Sequence, residues 1–284
     1  MKIVRTREME WQNGWDVISM MPDNYKENLG PAEELEEAYS KYLQKNLSID
    51  AESTFRGDLL DLQPGFADLT DAYHDSVEEC FFIAGDCTLS GEQTFYGFHY
   101  FWRPPGFIHA ATSVNGFKAL LFLHGEDASE GSGRASRVIR PTELAGTNAL
   151  TSDAAEALGP RGWIKIDTES VAWLDQSAFK NLYPALNAFG LGDFTIKILS
   201  INPDTLAMSA LIKFPPDYEL QSGAWTRGFR AFILEGEISI SGQSLESETW
   251  FESTPNEEHQ GISSPDGALI FAKITGNIQK PQII

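Results

Sequence analysis

Phe81-Phe82-Ile83-Ala84-Gly85-Asp86 returns 151 residues later as Phe232-Ile233-Leu234-Glu235-Gly236-Glu237. An internal repeat constrains a fold more than any single motif, so its extent is followed first. At the same offset Pro64, Gly85 and Gly91 meet Pro215, Gly236 and Gly242. Further on, His109 and Ser113 meet His259 and Ser263, now 150 residues apart, and Gly116 to Phe122 resembles Gly267 to Phe271. Upstream, Thr6 precedes Trp11 by five residues, as Thr168 precedes Trp173. Matches in constant order with one small indel indicate a duplicated domain. The reading is an N-terminal domain over 1–140, a linker over 141–162 and a C-terminal domain over 163–284.

Between these landmarks lie short runs rich in Val, Ile, Phe and Thr, punctuated by Gly, Pro, Asn and Asp, the pattern of an all-β sandwich or barrel. Two segments depart from it. Ala32 to Leu47 spaces Leu35, Ala38, Tyr39, Tyr42 and Leu43 as a helix does, after Pro31 and with Glu33 and Glu34 in the first turn. A second helix is expected from Asp175 to Asn187, interrupted by Pro184.

Composition narrows the function. The chain has 284 residues, enough for two cores. Its net charge of −20 repels phosphate backbones and anionic lipid, so no nucleic-acid or membrane partner is expected. No basic segment followed by an apolar run opens the sequence, and a cytoplasmic location is expected. The two cysteines, Cys80 and Cys87, fall in one expected hairpin at offsets that do not oppose them, so no disulfide is expected.

The chemistry concentrates in the first half. His74 and Glu78 are four apart on one extended stretch, so both point to the same face of a strand. About 30 residues later Pro104-Pro105-Gly106-Phe107-Ile108-His109 brings another imidazole after a turn. Two imidazoles and a carboxylate form a donor set for a divalent transition metal.

His74-Asp75-Ser76-Val77-Glu78, with Gly85 seven residues on, resembles the end of the first cupin motif, and Pro104-x-Gly106-x-x-His109 resembles the second. The resemblance is to bacterial, RmlC-like cupins of the acetylacetone dioxygenase and anti-sigma-factor types. It implies two tandem jelly-roll barrels with a few short helices. It also implies that His74, Glu78 and His109 bind one divalent metal in the N-terminal barrel, as Fe, Zn, Mn or Ni. The family's first motif histidine falls at Ala72, and Ser113 stands where the second motif ends in Asn. What remains is a three-residue set like the facial triad of non-haem iron oxygenases. In the second half the offset turns His74 into Trp225, Glu78 into Phe229 and Ala72 into Gly223, and only His259 persists, so that barrel is expected to hold no metal.

Other residues weigh less. Arg103 and Tyr96 flank the motifs and are read as substrate contacts, Arg103 as a carboxylate or enolate clamp. His99 is a candidate for the missing imidazole, set against a loop role. His124 and His259 are read as structural, Cys80 as a small buried apolar group, and Arg134, Arg137 and Arg140 as a solvated cluster. No phosphate-binding glycine loop or serine triad is recognisable. The functional expectation is a metal-dependent cupin oxygenase, or a related lyase or hydrolase, acting on a small organic molecule. A non-catalytic ligand or metal sensor is the alternative, and a metal-free sugar epimerase the third reading. Pairing of two copies through edge strands is open.

Overall fold

The computed structural model describes residues 1–21, 26, 29, 31–49, 55–74, 76–125, 138–139, 163–182, 192–203, 205–225 and 227–276. These form two compact all-β units. In the first, the long strand Val77–Leu89 is the organising element. Near its start it is flanked on opposite edges by Phe117–His124 and His99–Arg103, and near its end, again on opposite edges, by Gln93–Tyr96 and His109–Thr112, all antiparallel. The sheet continues from Phe117–His124 through Arg56–Leu62 and Tyr42–Ile49 to Gln12–Asn13, while His109–Thr112 leads to Ala67–His74 and Val138–Ile139. One strand serving two partner sets makes the sheet wrap around an interior. Phe66, Phe82, Phe95, Phe101 and Phe117 fill part of that interior, and the Phe82 ring lies 5.2 Å from Phe95 and 5.5 Å from Phe117.

The second unit repeats this wiring. Phe229–Ile240 occupies the place of Val77–Leu89 and pairs with Ala268–Ile274, which leads to Met208–Phe214 and Thr195–Ile201. Even the irregularities recur, with register shifts at Lys118/Ala119 in one unit and Ile233/Glu235 in the other. Close to both shifts the backbone crosses at a glycine. Gly85 and Gly236 have φ of +83° and +77°, and an added Cβ would lie 2.1 Å from the Gly116 carbonyl oxygen and 2.2 Å from that of Gly267. Only glycine allows both the left-handed turn and this backbone approach.

Three expectations change. The division at 140 and 163 is amended by two exchanged strands. Lys2–Arg5 pairs with Thr249–Ser253 in the second unit, and Ile164–Asp167 pairs with His99–Arg103 in the first. Edge strands join whichever open edge matches them, and contiguity in the chain does not choose it. Second, the helix over Ala32–Leu47 ends at Tyr39. From Tyr42 the chain is the strand Tyr42–Ile49, because pairing with Arg56–Leu62 outweighs local helical spacing. Third, the hairpin expected to carry Cys80 and Cys87 is replaced at these positions by one continuous strand; both thiols are free and buried. The second expected helix is Gln176–Leu182, and residues 183–187 lie outside the described residues, as do the linker 141–162 and Arg134, Arg137 and Arg140.

If the shared crossing holds each barrel together, Gly85→Ala and Gly236→Ala should each lower stability by more than about 2 kcal/mol, from backbone strain plus the clash. Denaturant unfolding of the two variants measures this, and a change near zero would show that the crossing yields.

Candidate metal centre

Three strand ends assemble the site. His74 is the last residue of Ala67–His74, Glu78 the second of Val77–Leu89 and His109 the first of His109–Thr112. The turn between Pro104 and His109 is tied down by Gly106, whose φ is +84° and whose N–H donates to the His74 carbonyl at 2.8 Å. That bond brings the second motif's turn against the first motif's histidine. Ala72 then pairs directly with His109 across the strands. A small residue faces the imidazole at the position where the resemblance to cupins leads a further ligand to be expected.

One ligand atom from each of His74, Glu78 and His109 lies within 4.8 Å of the others. His74 Nε2 is 3.9 Å from Glu78 Oε1, and His109 Nε2 is 3.9 Å from Glu78 Oε2. His109 Nδ1 donates to the Phe107 carbonyl at 3.1 Å, which assigns the proton to Nδ1 and leaves the Nε2 lone pair toward Glu78. Donor types, convergence and this tautomer suit a divalent metal. The two partly buried imidazoles and the buried carboxylate all line one cavity of about 250 Å³.

Arg103 departs from its expected role. Its side chain is 0% exposed, donating from Nη2 to Glu78 Oε2 at 2.6 Å and from Nη1 to Glu92 Oε1 at 2.7 Å, with the guanidinium over the Phe101 ring at 4.1 Å. The clamp closes on the protein's own carboxylates. Burial pushes the Glu78 carboxyl up, but Arg103, His109 and His74 together outweigh it and hold it down at about 2. Burial, followed by Arg103, pushes His109 down to about 4. The site therefore presents an ionised carboxylate and a neutral imidazole at neutral pH, both in the form a metal requires.

Tyr96 stands apart, 54% exposed and outside the cavity, its ring edge-on to His99 at 5.7 Å. His99 packs on Phe95 and Tyr96 and does not join the donor set. His124 is fully buried and bonds Glu79 at 3.0 Å, while Tyr100 donates to the other oxygen of Glu79 at 2.9 Å. Cys80 does line the cavity, and burial pushes its thiol well up, consistent with a small apolar role. Sequence reading missed Glu92, Gln44, Arg56 and Asp58. Their one legible trace is the alternation of Arg56 and Asp58 on a strand, which places both on the face that also carries Leu60.

No family model matches the sequence, and no curated protein matches it. Solved structures do. A Nostoc punctiforme protein described as a candidate dioxygenase superposes with a TM-score of 0.71 over 99% of this chain and 84% of its own, at 15% identity. Protein Ylba of E. coli gives 0.58 over 98% and 92%, at 10% identity. Oxalate decarboxylase of Bacillus subtilis gives 0.51 over 84% and 72%, at 13% identity. The chain has the bicupin fold. At these identities the likeness is one of architecture.

Within this bicupin the second barrel serves as an internal reference. Gly223 pairs with His259 as Ala72 pairs with His109, and Phe229 pairs with Ile274 as Glu78 pairs with Leu123. The equivalent positions hold Trp225, whose ring stacks on Phe229 at 4.9 Å and leans on His259 at 5.2 Å. Ser253 replaces Arg103 opposite Phe229. Among the described residues, the one group of metal-ligand side chains within reach of each other is that of the first barrel. No helix among them is long and apolar enough to cross a membrane.

In metal-free protein the His109 ring should stay neutral on acidification until near pH 4, against an ordinary value of 6.5. The depressed value sets the sign: its contribution to stability is complete above about pH 6.5 and is lost as pH falls through about 4. Ring resonances followed by NMR during acidification check this, and a midpoint near 6.5 would contradict the buried placement.

Proposed function

We propose that the first barrel is a metal-dependent enzyme of the dioxygenase-like cupin kind, acting on a small organic molecule. The observation that carries the reading is the convergence of His74, Glu78 and His109 on one cavity whose remaining walls are largely apolar, including Leu60, Phe66, Phe82 and Leu121. Bound there, a divalent metal supplies Lewis-acid chemistry and, if it is iron, redox chemistry toward oxygen.

The chain's own residues prepare that chemistry. Arg103 keeps Glu78 ionised and fixes its orientation, while the Phe107 carbonyl fixes the His109 tautomer. Ala72 contributes no donor opposite His109, and three protein ligands leave positions open for substrate. The apolar walls exclude water and strengthen the polar contacts made inside. A cavity of about 250 Å³ lies at the small end of ligand pockets and favours a compact substrate.

Metal analysis of untagged protein should find close to one divalent ion per chain, and His74→Ala and Glu78→Ala should each weaken binding at least about tenfold, as loss of even an outer support does. His259→Ala should leave it unchanged. Metal binding by His74→Ala at parental strength would sink the site. Iron-loaded protein should consume oxygen with a 1,3-dicarbonyl substrate, and tight metal binding without turnover across a broad panel would transfer the reading to a sensor.

A further inference from the structure

The cavity contains a second polar group that the metal set does not use. Gln44, Arg56 and Asp58 all line it. Strand register locates them: Arg56 pairs with Leu123, Leu123 with Glu78 and Glu78 with Arg103. Paired residues on antiparallel strands present their side chains to the same face. Arg56 therefore stands in the same interior row as Glu78, two strand spacings or about 10 Å away along the backbone.

This guanidinium is held in place. Its Nε donates to Asp58 Oδ2 at 2.5 Å and its Nη2 to Gln44 Oε1 at 3.1 Å, and Asp58 also accepts from Asn46 Nδ2. Asp58 and Gln44 are buried, whereas the Arg56 side chain is 41% exposed. Among the described lining residues the permanent cations are Arg56 and Arg103. Arg103 is fully enclosed between Glu78 and Glu92, so Arg56 is the cation with accessible surface.

The duplicate shows that the fold does not require this group. At the equivalent register positions the second barrel has Ile196 for Gln44, Met208 for Arg56 and Ala210 for Asp58, all buried in its apolar core. The barrel with the metal donors has the Gln44, Arg56 and Asp58 set, and the barrel without them has neither. The polar set therefore accompanies the metal donors and is no part of the shared scaffold.

We infer that Arg56, oriented by Asp58 and Gln44, is an anion-recognition site for the far end of the ligand. The molecule this cavity takes is a small organic monocarboxylate with an apolar middle, whose other end carries the oxygen functions facing His74, Glu78 and His109. A planar carboxylate matches the guanidinium fork, and orientation set in advance reduces the entropy lost on binding. The inference rests on the reading of the cavity as a substrate site.

Calorimetric titration with 5,7-dioxooctanoate, whose carboxylate is separated from the dicarbonyl by methylenes, and with its methyl ester tests it, using zinc-loaded and chelator-treated full-length protein. The two probes share the dicarbonyl and differ in the charge. The acid should bind at least about tenfold tighter than the ester, the worth of a charged hydrogen-bonded pair. R56M should reduce that preference to less than about threefold. Because R56M leaves Asp58 buried without its cation, the double variant R56M/D58N is measured beside it, with thermal unfolding to confirm that each is folded. The inference is overturned if the parent shows no preference, or if folded R56M or R56M/D58N keeps it. Metal bound through His74 and Glu78 with no acid preference defeats this inference alone. An Arg56-dependent preference in protein that takes up no metal defeats the metal reading and leaves this one standing.

Discussion

A guanidinium with no exposed surface, held between Glu78 and Glu92, dominates the electrostatics of the first barrel. An arginine cannot shed its proton to escape burial, so the surrounding protein must supply negative charge in fixed places. Glu78 and Glu92 supply it, and the consequences spread outward. Glu78 stays ionised despite burial, His109 stays neutral, and each presents the atom that a metal would use. The buried thiols of Cys80 and Cys87 are held up by burial and do not compete as anions, although both line the same cavity. Removing either carboxylate would leave a buried charge without its counterpart, a larger loss than the pair itself contributes.

The two barrels put one backbone plan to different uses. Both depend on a glycine crossing that tolerates no side chain, and both shift register at the same place. Their interiors diverge row by row. Where the first barrel aligns Arg56, Leu123, Glu78 and Arg103, the second aligns Met208, Ile274, Phe229 and Ser253. Filling an interior with Trp225, Phe229 and their neighbours gains apolar burial without the desolvation cost of charges. Keeping two arginines and their carboxylates inside a barrel is an expense in stability, which makes the first interior the place to seek chemistry.

Much of this was legible in the chain itself. The repeat around Gly85 and Gly236 implied duplicated β domains because a left-handed turn and a close backbone approach admit one residue type, which therefore recurs. His74, Glu78 and His109 were legible because even spacing on a strand and a glycine turn before a histidine are local geometries. Helical spacing from Ala32 misled beyond Tyr39, since amphipathic periodicity does not register that an open strand edge is waiting for Tyr42 to Ile49.

Long-range pairing settled the remainder. Whether Lys2 to Arg5 belongs to the first or the second barrel depends on a free edge more than 240 residues away, at Thr249 to Ser253. The role of Arg103 turned on Glu78 and Glu92 meeting it, contacts that no spacing encodes. Arg56 joined the same interior row as Glu78 only because two intervening strand pairings set one register. Local sequence determined which residues could act together within a turn or a strand. The closing of the barrel decided which of them share an interior, because side chains from distant strands become neighbours only when hydrogen-bond register brings them face to face.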